Sequence, residues 1–298
     1  MKILRVSAWT LLVAFCLMAL CPDFFAPYSP TRQFRDLPYA APGLYDGAGL
    51  TWFPEGEPYN VLGLAPSTRH LFGATEPGRI FLLGTDEFGR DWYSRLCHGA
   101  SVSLFVAPLA AFISLVLAAL LGVVGGFEGG WIDTLVTKAG EVFLVLPWFY
   151  VVIALRAALP LTLSGPAELL VVFGCLAVLG SATTARLVRG RVLSLKHREF
   201  VLASRAAGGG RIHVLGRHVL PFLWPTLRTQ FLLSIPAFVV TEVTLSFLGL
   251  GLAEPTPTWG GMLAPLKEYV VLTSYPWMFA PAVAVVLVCL ALQIVGEE

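Results

Sequence analysis

GASVSLFVAPLAAFISLVLAALLGVVGGF, residues Gly99–Phe127, carries no charged side chain. A helix needs ~20 apolar residues to cross a bilayer's hydrocarbon core, so this stretch alone is long enough to span. The chain around it has the same character: of 298 residues, 56% are hydrophobic and only 13% charged, with mean hydropathy +0.75. Soluble domains carry about a quarter charged residues, so a multi-span helical membrane protein is the expectation. The formal net charge of +1 gives no ground for a nucleic-acid-coating protein.

Working outward, apolar windows predict five further spans: about Val6–Cys21, Val142–Leu159 with Pro147 and Arg156 inside it, Leu169–Ala185, Leu223–Leu250 and Trp277–Val295. Lys2 and Arg5 precede the first apolar run, and no small-residue cleavage pattern follows it. That predicts an uncleaved anchor rather than a removed signal peptide. Between the first two spans, Pro22–Gly99 holds nine acidic and six basic side chains with many Pro and Gly. It reads as an extramembrane segment whose last part, Leu83–Leu96, is turn-rich and then amphipathic on the membrane surface. The organisation expected is an anchor over 1–22, an extracytoplasmic segment over 23–99 and a five-helix core over 100–298. Gly122 with Gly126, and Gly125 with Gly129, set small residues at a spacing that lets membrane helices approach closely.

Charge asymmetry orients the spans. The connection between the fourth and fifth holds Arg186, Arg189, Arg191, Lys196, Arg198, Arg205, Arg211, Arg217 and Arg228 against one acid, Glu199. Positive loops stay in the cytoplasm. Lys2 and Arg5 agree, so both termini are expected on that side.

No catalytic signature stands in the chain. There is no GxxxxGK[ST] phosphate loop, no HExxH, no GxSxG and no CxxC. His197, His213 and His218 lie in the basic connection without thiols or clustered carboxylates, so metal-ligand spacing is absent. The five cysteines are scattered. Cys21 and Cys97 could both lie near one membrane surface, but thiols among apolar residues read first as small hydrophobes. Any energy for transport must come from an ion gradient or a separate ATPase. The ion-coupled carrier is the alternative kept in view. It calls for paired midplane acids and an inverted repeat, neither of which is visible. An intramembrane enzyme would need a nucleophile–base pair or metal ligands within the spans.

Arg198–Pro221, REFVLASRAAGGGRIHVLGRHVLP, is a basic, polar island in this apolar chain. Residues Arg198–Ala207 favour helix, Gly208-Gly209-Gly210 interrupt it, and Ile212, Val214 and Leu215 resume an amphipathic stretch. Helix, glycine break, helix predicts a knuckle projecting from the membrane. Charge alone would explain the island equally well as a topology anchor that binds anionic lipid.

The residue pattern goes further. Ala203-Ser204, Gly208 and Leu220-Pro221 resemble the loop signature of ABC-importer permeases, E-A-A-x3-G-x9-I-x-L-P. Leu202 stands where that signature has its Glu, Ser204 at its second Ala and His218 at its Ile. Thr184–Leu195, TARLVRGRVLSL, with Glu199 and Phe200, looks like the run usual in the dipeptide/oligopeptide/nickel permeases. Three more stretches are similar to that family: Leu83–Asp91 (LGTDEFGRD) with Ser94-Arg95-Leu96, Gly129–Asp133 (GGWID), and Glu242 with Leu245–Gly251 (LSFLGLG) followed by Pro255–Leu263 (PTPTWGGML). Together they cover most of residues 83–263 in family order. The chain resembles the C-type permease subunit of a peptide-class ABC importer.

That resemblance implies an all-α, polytopic fold of about six transmembrane helices, like a type I ABC-importer permease, in the inner membrane of a bacterial-type cell. It implies a coupling loop at about 186–228 that docks an ATPase, with Glu199, Leu202, Ala203, Ser204, Arg205, Gly208, Gly209 and Arg217 as its site residues. It also implies a B-type permease partner, two cytoplasmic ATPase subunits, an extracytoplasmic solute-binding protein and surrounding lipid. This chain itself would bind no cofactor or metal, and ATP would be used by the partners. Leu202 departs from the signature acid; Glu199, three residues earlier on the same helical face, is the nearest substitute. The family usually continues past the position of Glu298 with a short polar tail. Arg156 and Glu242, ionisable residues inside apolar spans, are candidates for lining the substrate path. Against this stand snorkelling of Arg156 to the surface and a Glu242 that braces the LSFLGLG turn.

Overall fold

The structure, a computed structural model, describes residues 2–47, 49–61, 65–75, 77–158, 166–252 and 254–296, with their side chains except those of 156 and 166–170. Helix α1 (Lys2–Leu20) is followed by the single turn α2 (Pro22–Phe25). Six short strands come next: β1 (Gly43–Tyr45), β2 (Leu50–Trp52), β3 (Glu55–Val61), β4 (Ala65–Arg69), β5 (Phe72–Ala74) and β6 (Arg79–Phe81). They pair antiparallel as β1–β6, β2–β5 and β3–β4, with Gly43 opposite Phe81, Leu50 opposite Ala74 and Tyr59 opposite Ser67. The pairs are concentric in sequence, so the segment is one long ribbon interrupted twice. The rest of the described chain is mainly helical, as expected, and these strands are confined to the segment before Trp92. Too short and too broken by Gly and Pro to show alternation, they hold together through a small aromatic core: Phe34 lies 5.2 Å from Phe81 and 5.0 Å from Tyr28 between ring centroids.

Helices α3 (Trp92–Glu128), α4 (Gly130–Val145), α5 (Trp148–Ala158) and α6 (Pro166–Leu195) follow, then α7 (Glu199–Ala206), α8 (Arg211–Val214) and α9 (Leu220–Phe247). The chain closes with α10 (Trp259–Leu263), α11 (Tyr269–Ser274) and α12 (Ala280–Gly296). Among the described residues, five helical stretches are long and apolar enough to cross a membrane, six if the bent pair α4–α5 counts as one span.

Three boundaries differ from the sequence reading, each for a local reason. The stretch expected to lie on the membrane surface is instead the first turns of α3. Asp91 caps that helix, its Oδ2 accepting from the Ser94 backbone N–H at 2.8 Å and the Ser94 hydroxyl at 2.6 Å, and the helix runs on through Pro108. At 37 residues, α3 is about 55 Å long, far more than the hydrocarbon thickness. The predicted third span is broken: Leu146, forced extended by the following proline (φ −65°, ψ 122°), leaves α4 and α5 bent by 85°. Its predicted end at Leu159, and the Arg156 side chain, lie outside the described residues. The fourth span runs on as helix to Leu195, so the basic residues Arg186, Arg189 and Arg191 lie on α6 and not in a loop.

The chain divides into two compact units, and the cut falls elsewhere than the sequence divided it. One unit is Met1–Ala107 with Pro236–Glu298, the other Pro108–Ile235. The anchor and ribbon segment thus group with the last spans. The first unit is built on Trp92, Trp259, Met262, Met278 and Val288, all at most 1% exposed. In it the LGTDEFGRD turn is tied by its own polar groups: Asp86 Oδ1 accepts from the N–H groups of Phe88 and Arg90, both at 2.9 Å. Arg90 and Arg95 reach Glu254 at 2.9 and 2.8 Å. The second unit is built on Phe127, Val188, Val192, Val201, Val214, Val219 and Leu223. There α3 and α6 close on each other at Gly122 and Gly126, where an added Cβ would come within 2.6 Å of the Ala185 carbonyl and 2.9 Å of Val192. Cys16, Cys21, Cys97, Cys175 and Cys289 are all free thiols.

Candidate functional site

The predicted helix–glycine–helix knuckle is present, and each of its parts has a physical cause. Arg198 opens α7 in an extended conformation (φ −71°, ψ 144°), and Glu199 in the first turn complements the helix dipole. The helix ends in a Schellman motif: Gly209 N–H donates to Ser204 O at 2.8 Å and Gly208 N–H to Arg205 O at 3.0 Å. Gly208 stands at φ +86°, where a side chain is strained although there is open space around it. Gly209 is constrained differently, since a Cβ there would lie 2.7 Å from the Ser204 carbonyl. Gly210 opens α8, which passes through one π-helical turn, Leu215–Val219, into α9. That widened turn lies just before Pro221, which has no N–H to bond Arg217 and whose ring crowds that carbonyl.

The knuckle has a rooted face and a free face. Val201, Val214 and Val219 are fully buried against Phe127, Val188 and Val192. Glu199, Leu202, Ala203, Arg205, Gly208 and Arg217 are exposed, with Ser204 and Gly209 half-buried. Leu202, at the signature acid's position, therefore presents an apolar side chain to solvent. Glu199 makes no hydrogen bond or ion pair among the described residues, so nothing shows it replacing that acid's contacts. One residue that the sequence reading counted only toward the amphipathic stretch stands out: Ile212 on α8 is 88% exposed. An isoleucine in the middle of a basic island was the available signal. On the same surface Phe200 stacks on Phe222 at 5.1 Å and lies 6.0 Å from His218.

Glu242, a candidate path residue, is placed quite differently. It is 2% exposed and accepts hydrogen bonds from the hydroxyls of Ser103 and Ser246, both at 2.8 Å, with the Thr258 hydroxyl as a further partner. Ser103 in turn accepts from the Trp259 backbone N–H at 3.4 Å. In this structure the acid is closed in by hydroxyls from α3, α9 and the cap of α10, the arrangement expected of a brace. Among the described residues no three His, Cys, Asp or Glu side chains gather as a metal site.

The sequence profile described as "Binding-protein-dependent transport system inner membrane component" matches residues 103–297. The chain belongs to this family. It is a multi-pass inner-membrane permease component, and membership decides against the ion-coupled carrier. Among its relatives are the di/tripeptide transport system permease protein DppC of Pseudomonas aeruginosa (strain UCBPP-PA14), 33% identical over 288 residues, covering 96% of this chain and 82% of the relative. The dipeptide transport system permease protein DppC of Bacillus subtilis (strain 168) is 36% identical over 235 residues, covering 78% and 68%. The fold is similar to a chain of the inward-facing MetNI methionine ABC transporter, with TM-score 0.54 at 19% identity over 68% of this chain and 93% of that one. The 103–297 match takes in the whole of the permease's second unit and part of its first.

Proposed function

We propose that this permease forms half of the translocation path of an ATP-driven importer of peptides, with the Arg198–Pro221 knuckle as the point where a cytoplasmic ATPase docks. The peptide assignment follows the names of the relatives. A B-type permease would complete the path, two ATPase subunits would use the ATP, and a solute-binding protein would deliver substrate on the opposite side. The positive charge concentrated from Arg186 to Arg228 supports a cytoplasmic knuckle and cytoplasmic termini. Closure of the ATPases can switch the permease only if they bind its two states with different affinity, which requires a dock that moves with the spans. A path role for Arg156 remains part of this proposal; Glu242 does not.

The observation that carries the reading is the two-faced knuckle: rooted through Val201, Val214 and Val219 while Ile212 and Leu202 stand apolar and exposed among cations. An exposed apolar knob with a charged rim is the composition of a protein contact. Ile212→Asp and Gly208→Val are each expected to reduce co-purification of the ATPase subunits about tenfold or more, as loss of an interface anchor does, with permease yield unchanged. Full retention of the ATPases by both variants would defeat the docking assignment.

A further inference from the structure

Four cationic side chains converge on one corner of the second unit. Where α3 turns into α4, Lys196 Nζ donates to the Gly126 carbonyl at 3.0 Å, and the Arg205 guanidinium lies over the Phe127 ring at 4.9 Å. Arg211 pairs with Glu128 at 3.0 Å, and Arg189 grips both carboxylate oxygens of Asp133, its NH2 donating to Oδ2 at 2.6 Å. Arg205 precedes the glycine break of the knuckle and Arg211 follows it. Val201 before the break and Val214 after it are buried in one core with Phe127, so both halves of the knuckle are rooted at the same corner.

The four contacts are unequal. Glu128–Arg211 is a surface pair, its side chains 33% and 77% exposed, and such pairs contribute little in water. Asp133–Arg189 is bidentate with side chains only 19% and 27% exposed, the geometry of a strong charge-assisted pair. No residue of α4 is fully buried, and beside it lies an apolar cavity of about 340 Å³ lined by Leu121, Leu135, Phe143, Leu144, Ala182 and Ala185. Val136 of α4 meets α3 at Gly125, while α3 is locked to α6 through Gly122 and Gly126. At this end of α4, the Asp133–Arg189 pair is its charged tie to α6.

We infer that Asp133 and Arg189 are positioning residues of energy coupling: the pair makes α4 follow α6 and the knuckle, so that a displacement imposed at the dock reaches the bent α4–α5 span. This rests on the docking assignment above. The test is made on the whole complex, permeases with ATPases, in proteoliposomes supplied with the solute-binding protein and a peptide. Asp133→Asn is expected to keep the ATPases attached and hydrolysing while uptake per ATP falls about fivefold or more, the lower range of a coupling free energy. The exchanged pair, Asp133→Arg with Arg189→Asp, is expected to recover most of that loss. A merely structural pair would lower yield and leave the uptake-to-ATP ratio intact. An unchanged ratio in Asp133→Asn with the ATPases attached overturns the inference alone. So does an exchanged pair that is uncoupled or unassembled. Retention of the ATPases by both Gly208→Val and Ile212→Asp overturns docking, and this inference with it.

Discussion

Glu242 and Asp91 show how a buried acid can be structural for opposite reasons. Glu242 is saturated by donors, so its removal leaves hydroxyls without partners, at about 1–3 kcal/mol for each. Glu242→Ala should lower the unfolding temperature of the detergent-solubilised permease clearly, and Glu242→Gln, which keeps an acceptor oxygen and the volume, much less. Equal losses would remove the brace. Asp91 is fully buried, and one of its oxygens has no partner. Burial pushes its carboxyl up to about 7 from 3.8, against the Ser94 bonds that lower it. The folded protein thus holds this proton more tightly than the unfolded chain. The stability it contributes is complete below the unfolded value and is lost as pH rises through the folded one. Asp91→Asn still accepts from Ser94 but cannot ionise. The difference in unfolding temperature between variant and parent should shift in the variant's favour from about pH 4 to about pH 8, and a pH-independent difference would refute the account.

Among the elements, the α3–α6 pair was the easier to anticipate. The Gly122/Gly126 spacing reads as a close-approach surface, and the structure finds it packed on Ala185, Val188 and Val192. Gly122→Leu would drive a large side chain into the Ala185 carbonyl, and overpacking costs about 1–3 kcal/mol where the core can yield at all. Protease resistance of the purified permease should fall, whereas Gly190→Leu, at a glycine with open space around it, should leave it unchanged. The α4–α5 bend was less legible. A proline in an apolar window is compatible with a kinked single span, and only the extended backbone at Leu146 makes it a break. The knuckle lies between these cases: its glycine interruption was plain, but which side chains turn inward depends on what Phe127, Val188 and Val192 offer it.

At the scale of the molecule, apolar windows are additive over contiguous residues, so five of the expected spans survived every shift in their boundaries, and the sixth is met if the bent α4–α5 pair counts as one. The division into units did not, because it depends on contacts between residues far apart in the chain. Nothing local in Met1–Ala107 announces that it packs with Pro236–Glu298. The ribbon β1–β6 escaped for a related reason, since four of its strands are three residues long, too short to carry a period, and these pair with partners remote in sequence.

The sequence by itself determined a membrane protein of about six crossings with a basic, glycine-broken knuckle, because hydropathy, charge bias and glycine breaks are properties of neighbouring residues; its motifs carried the resemblance to a permease family. Only the tertiary structure decided that Glu242 is enclosed by hydroxyls. The same holds for the exposure of Ile212 and for the convergence of Arg189, Lys196, Arg205 and Arg211 on residues 126–133. Burial and ion pairing depend on which distant side chains meet, and spacing along the chain carries no record of that.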